Sequence, residues 1–473
     1  MAAKPGFQVS NKYSFTSKPN QIYMKKLFIK ISFTFGVCSL MVHRADAQLS
    51  LTGQLRTRTE LRDGYAAPLP ENARPAFFTS QRTRLSLGYS MYCLKFGATL
   101  QDVRVWGQDV STINRTTTQD NNTLMLHEAW AEILLTDTTL KNKSLSLKLG
   151  RQELNYDDER LMGKTDWLQQ GRRHDAALLK YETKSLMLHL AAAFNQNKES
   201  ASGIVYNSTP PGNYTATTNG GTMYKSMQFL YAGKKLQKGN ASFLFFSDQF
   251  SKYRNDSANV KTFESGAWSR FTTGFYFNYS FSKINATAAA YYQFGKNATG
   301  QKLSSELLSA FAQYSFSKKF GAGPGVDYYS GGSDGTTSNA FDPLYGTPHK
   351  FAGLMDYFYA ASGFGKGGLV DYYIKAKFKP SDKFLLTADA HQFSSTVNVV
   401  VPNTTNNKKS FGQEVDVVAS YNLTKLIAFE AGYCHFFGTS LIASANVKNV
   451  SNAQLNSNWA YLQINIKPEF LLK

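Results

Sequence analysis

The chain has 473 residues, 14% of them aromatic, with a mean hydropathy of −0.34 and a formal net charge of +19. A mean hydropathy below zero excludes a bundle of membrane helices, and three cysteines are too few for a disulfide framework. Plentiful Tyr (27), Phe (35) and Gly (35) point to strands and turns, over a length that allows several soluble domains or one large barrel.

Residues 1–23 read as a mis-started or dispensable extension. From Met24 the chain runs MKKLFIKISFTFGVCSLMVHRADAQ, with Lys25, Lys26 and Lys30 ahead of an apolar run and Ala45-Asp46-Ala47 behind it. This is the layout of a signal peptide cleaved near Ala47, and the run is too short and interrupted for a membrane anchor. Cys38 has no lipobox around it, so lipidation is not expected. Residues 48–473 are then one domain outside the cytoplasm. Residues 1–47 hold seven Lys/Arg and one Asp, leaving 45 bases against 32 acids. That surplus implies anionic partners, and an exported chain does not meet nucleic acid. Cys93 and Cys434 sit in strand-like runs and are expected as two buried thiols.

The first strand signal is QLRTRTELR. Leu55, Thr57, Thr59 and Leu61 point one way, and Arg56, Arg58, Glu60 and Arg62 the other. Two threonines fill a protein core poorly but are tolerable against lipid, while a row of guanidinium groups suits a water-filled lumen. The same alternation recurs downstream. Phe275, Phe277, Tyr279 and Phe281 alternate with Tyr276, Asn278 and Ser280. In the last strand Ala460, Leu462, Ile464 and Ile466 alternate with Tyr461, Gln463 and Asn465.

Eight short turns are expected, near Ser90-Met91, Lys141-Asn142, Thr183-Lys184, Gln237-Lys238, Ser282-Lys283, Ser317-Lys318, Ser381-Asp382 and Thr424-Lys425. Nine longer polar stretches separate them, which makes nine hairpins and about 18 strands. The predicted fold is therefore all-β: a single transmembrane antiparallel barrel with short periplasmic turns and long extracellular loops, in the outer membrane. The run HKFAGLMDYFYA, including Lys350 to Ala360, breaks this count. It reads either as an excursion folded into the pore mouth or as part of a 20-strand alternative.

Of 14 arginines after residue 47, 12 precede His174. Arg56, Arg58, Arg62, Arg82 and Arg84 share the inward phase, and Arg270 aligns with Thr272. Asp102 and Arg104 join them only if the strand bulges near Gln101. Arg151 joins only if it kinks at Gly150. Glu60, Asp102, Glu128 and Glu132 are placed to hold these guanidinium groups. Arginine suits a carboxylate ligand, because its planar fork bonds both oxygens and sheds water at low cost. The acidic run Glu153, Asp157, Asp158 and Glu159 near His174 leaves room for a hydrolytic site, but no catalytic, metal or cofactor motif accompanies it, and no enzyme is expected.

The segments LRTRTELRDGY, QRTRLSLGY, QDVRVWGQD and LGRQEL-YDDERLMG-DW-GRRHDA, together with FDPLYGTPHKFAGLMDYFY, resemble the alginate-export family of outer-membrane porins. The likeness covers nearly all of the chain after residue 47. It implies an 18-stranded monomeric barrel with an arginine-lined constriction for an anionic uronate polymer. By match to its motifs it assigns Arg56, Arg58, Arg82, Arg84, Asp102, Arg104, Arg151, Arg172 and Arg173 to the substrate path. The chain departs from the family pattern at His174 and Leu178. The partners expected are an anionic saccharide or a small carboxylate, outer-membrane lipid and the barrel-assembly machinery.

Overall fold

The computed structural model describes residues 48–109, 118–119, 124–196, 223–358, 367–401 and 407–472. The extension expected at 1–23 and the signal peptide expected at 24–47 lie outside them. The wall is built from β1 (Gln48–Asp63), β2 (Ala76–Met91), β3 (Leu94–Val105), β4 (Met125–Leu134), β5 (Lys143–Gln152) and β6 (His174–Thr183). It continues through β7 (Leu186–Phe194), β8 (Ser226–Leu236), β9 (Gly239–Asn255), β10 (Lys261–Phe281), β11 (Ile284–Lys296) and β12 (Lys302–Ser315). The last six strands are β13 (Phe320–Tyr329), β14 (Leu369–Phe378), β15 (Phe384–Val400), β16 (Asn407–Asn422), β17 (Ile427–Gly438) and β18 (Asn456–Ile466).

Each strand pairs antiparallel with the next. The ring closes where β1 meets β18, from Leu55 opposite Ile466 to Asp63 opposite Asn458. Two short pieces, Thr337–Ser338 and Glu469–Leu472, attach to the sheet without adding to the 18-strand wall. The 20-strand alternative is thereby excluded. The reason is local: residues 339–358 run through turns, bends and a single 3₁₀ turn, Pro348–Lys350, and form no wall strand.

The pleat sorts residues as the alternation implies. Leu55, Leu61, Phe275, Ile374 and Leu462 are exposed on the outer wall, whereas Tyr276, Gln293 and Tyr461 are buried on the inner one. All eight short turns fall at the expected places. Among the described residues, two opposite connections are also tight. In 256–260 the Asp256 carboxylate accepts from Ala258 N and Val260 N at 2.8 Å. In 297–301 the Asn297 amide oxygen accepts from Thr299 N and Gln301 N at 3.0 Å. Of the two thiols, only Cys434 is buried. Cys93 lies half-buried in the turn after β2 and corrects that expectation.

The apolar core lies inside the barrel. Inward positions on β8 and β9 carry Met227, Phe229, Tyr231, Leu244, Phe246 and Phe250, which water alone would leave uncovered. Two segments fold in to cover them. Residues 153–173 bring Leu154, Leu161 and Met162; residues 339–358 bring Phe341, Leu344, Tyr345, Met355 and Phe358. Tyr357 stacks on Phe436 at 4.0 Å, and the Phe358 ring centroid lies 4.5 Å from that of Phe393. Asp157, Glu159, Thr165, Leu344, Ala352 and Asp356 hold left-handed backbone within these two segments. Packing on several sides maintains conformations that L-residues avoid.

Candidate functional site

The inner faces of β1 and β2 set the site. Their register puts Arg56 opposite Arg82, and Gln54 opposite Arg84. Like charges opposite one another on adjacent strands repel. The repulsion is relieved by the inserted segment 153–173. Arg56 donates to Gln169 Oε1 at 2.9 Å, to Asp166 O at 2.7 Å and to Leu168 O at 3.1 Å. Arg58 donates to Trp167 O at 2.8 Å and lies 3.9 Å over the Trp167 ring. Arg82 donates to Asp166 Oδ1 at 2.9 Å and to Gln54 Oε1 at 2.8 Å.

The Asp166 carboxylate thus sits among three guanidinium groups: Arg82, Arg56 at 3.5 Å and Arg84 at 3.9 Å. Burial works to raise its pKa, but Arg82, Arg56 and Arg84 hold the carboxyl well below the usual carboxylate range. Its side chain is still 44% exposed. Arg84 also donates to Gln101 Oε1 at 2.6 Å and lies 3.7 Å from Glu153. Glu60 joins Arg58 and Arg62, both at 2.9 Å, and accepts from Trp459 Nε1 at 3.1 Å.

The predicted arginines therefore divide by exposure. Arg56, Arg58 and Arg82 are buried and grip the inserted segment. The side chains of Arg84 and Arg62 keep 12% and 32% exposure. Arg270 is buried as well, in a two-bond pair with Asp248 and with Asp342 at 2.8 Å. Arg172 is buried and donates to the carbonyls of Tyr345 and Gly346, tying 153–173 to 339–358. Arg173 lies against Met125 Sδ at 3.7 Å.

Three placements differ from expectation. Asp102 and Arg104 pair with each other at 2.7 and 2.8 Å in the phase of exposed Leu100, on the outer wall. No bulge occurs at Gln101, because β2 and β3 stay in register from Ser80 opposite Val105 to Met91 opposite Leu94. Gln101 itself takes the inward position and is buried. The irregularity comes one strand later, between β3 and β4, where Thr99 faces Glu128 and Leu100 faces Leu126. His127 is the extra residue, and its Nε2 lies 2.9 Å from both Arg84 and Glu153. Arg151 forms a two-bond pair with Asp175 in the phase of exposed Leu149, so Gly150 does not turn it inward.

Glu132 accepts from Lys180 and Ser146, both at 2.7 Å, and Glu128 accepts from Glu153 N at 3.2 Å. In the acidic run, Glu153 meets His127. Asp157 accepts from Tyr231 Oη at 2.8 Å and Ser242 Oγ at 2.7 Å. Asp158 pairs with Arg160 at 3.3 Å, and Glu159 with Lys350 at 2.6 Å. Glu153 and Asp157 dock the segment on the wall, Glu159 ties it to 339–358, and Asp158 pairs within the segment. Among the described residues, no cluster of His, Cys, Asp and Glu is arranged to hold a metal ion. Reading by phase missed Gln101, His127, Asp166, Trp167 and Gln169, since a period of two says nothing about where a loop folds.

The family model described as alginate export matches residues 47–448. No curated relative matches the sequence. Solved structures similar to this chain include Acinetobacter baumannii OccAB4, at 13% identity and a TM-score of 0.57, covering 90% of this chain and 99% of that one. Pseudomonas aeruginosa OpdO is similar at 12% identity and a TM-score of 0.57, covering 90% and 98%. Pseudomonas aeruginosa OccK9 (OpdG) is similar at 12% identity and a TM-score of 0.55, covering 90% and 99%. At these identities the likeness establishes a shared fold. With the family model matched over most of its length, the chain belongs to the alginate-export family of outer-membrane porins.

Proposed function

We propose that this porin passes an acidic polysaccharide, such as a uronate polymer, passively and with anion selectivity, past the arginines of β1 and β2. The observation that carries the reading is the convergence of Arg56, Arg82 and Arg84 on one half-exposed carboxylate, Asp166. A side-chain carboxylate of the chain itself occupies the kind of position that a passing uronate carboxylate takes. Around it, Arg56, Arg58, Arg62, Arg82 and Arg84 outnumber Glu60, Glu153 and Asp166. The remaining positive potential draws in anions, and the local acids lower affinity enough for release.

The two segments packed into the lumen support a second reading, a porin for small carboxylates, because they narrow the interior. Single-channel recording in a planar bilayer separates the two. An anion-selective reversal potential under a salt gradient, with block by added hexuronate that weakens in Arg84→Ala, supports the polysaccharide reading. Anion selectivity with block by succinate alone supports the second. A cation-selective pore defeats both.

A further inference from the structure

Below the arginine row, toward the short turns, the inner wall carries a second feature that phase, register and cavity shape define together. Ser50 faces Gly88, Gly88 faces Gly97, Gly97 faces Trp130, and Trp130 faces Gly150 across five successive strands. The glycines remove side chains from this row, and the indole fills part of the space: a Cβ on Gly97 would fall 2.5 Å from Trp130 Cζ2. Beside the indole a cavity of about 380 Å³ remains, lined by Gln48, Ser50, Gly88, Ser90, Lys95 and Trp130 and, from the opposite phase, by Leu49, Tyr89 and Phe96. Lys95 is exposed, and Lys148 Nζ lies 3.8 Å from the indole centroid. Four residues of β2 separate Gly88 from Arg84, about 13 Å along the strand.

An aromatic wall, two hydroxyls, one amide and one ammonium group are a recognisable set. The ring offers an apolar face with a polar edge. The hydroxyls and amide offer donors and acceptors for a polyol. The Lys95 ammonium offers charge to a carboxylate, while Lys148 packs on the indole. A small inorganic anion needs only the last of these, and an apolar solute only the first. We propose that this pocket is a second subsite that holds one uronate ring of an acidic polysaccharide, the sugar's C–H face on Trp130 and its carboxylate on Lys95. This rests on the polysaccharide reading above and deepens it. A chain held at Arg84 reaches Trp130 a few rings later, so the two sites grip one polymer in series, whereas a small carboxylate occupies only one at a time.

The test is the dwell time of blocking events in single-channel recordings of the full pore, with hexuronate or succinate as the probe. Trp130→Leu is expected to shorten hexuronate dwell times by roughly tenfold, to leave succinate block unchanged and to keep the wild-type reversal potential. Trp130→Phe is expected to retain most of the dwell time. Unchanged hexuronate dwell times in Trp130→Leu, or an equal loss for succinate, overturns the subsite while leaving anion selectivity standing. Because the indole also covers Gly97, Lys95→Gln provides a second variant at an exposed side chain. It is expected to shorten hexuronate dwell times more than succinate dwell times, and equal shortening counts against the proposal. Failure of the underlying reading is separate, since it shows in the wild-type pore as cation selectivity without hexuronate block.

Discussion

Arg56 and Arg82 stand opposite each other on adjacent strands, and the Asp166 carboxylate lies 3.5 Å from the first and 2.9 Å from the second. One loop residue thus makes a like-charge pair tolerable and fixes the loop that carries it. Asp166→Asn keeps the shape and removes the charge. The pair is partly open to solvent, so the expected loss is about 1–2 kcal/mol. Thermal unfolding in detergent should report the loss, and single-channel recording should show higher anion conductance with more frequent loop-opening noise.

Two of the carboxylates that dock segment 153–173, Asp166 and Asp157, respond to pH in opposite senses. Asp166 has a depressed pKa, so its contribution is present above the usual carboxylate range and fades only as pH falls well below it. Burial raises Asp157 to about 6, against the hydrogen bonds from Ser242 and Tyr231 that lower it, with Asp158 adding to the rise. A raised carboxyl pKa means that the docked state binds the proton more tightly. Its contribution is full below about 4 and lost as pH rises through about 6. Gating noise should therefore increase between about pH 4 and 6, and Asp157→Asn should flatten that dependence. A flat wild-type profile over the same range would count against Asp157 as the titrating group.

Arg104 and Arg151 lie on the outer wall, paired with Asp102 and Asp175. Arg104→Gln and Arg151→Gln are expected to leave the reversal potential at its wild-type value, while Arg84→Gln shifts it toward zero. A shift from either outer variant equal to that of Arg84→Gln would place its side chain in the ion path.

Phe358 packs inside the barrel against Phe393, Phe411 and Phe436. Phe358→Ala is expected to cost about 3–5 kcal/mol of segment docking. Wall strands do not depend on it, so heat-resistant migration of the barrel on a gel should persist while conductance rises.

Much of the wall was legible in the chain itself. Alternation is a property of the pleat, set by the backbone one residue at a time, so Leu55 against Arg56 or Leu462 against Tyr461 declares its side without reference to anything distant. Counting turns, whose residue preferences are equally local, narrowed the strand number to 18 or 20. The candidate site was legible only in part. Arg56, Arg58, Arg82 and Arg84 face inward as their phase requires, but phase cannot say that three of them are spent on the backbone and side chain of a segment more than 80 residues away.

A single inserted residue also inverts every later assignment in a strand. Placing the bulge at His127 rather than Gln101 turned Asp102 and Arg104 outward and brought Gln101 into the site. The sequence by itself determined the barrel and narrowed its strand count to 18 or 20, because these depend on local periodicity and turn composition. Only the tertiary structure decided which guanidinium groups reach water, because that depends on where two long loops find apolar surface to cover.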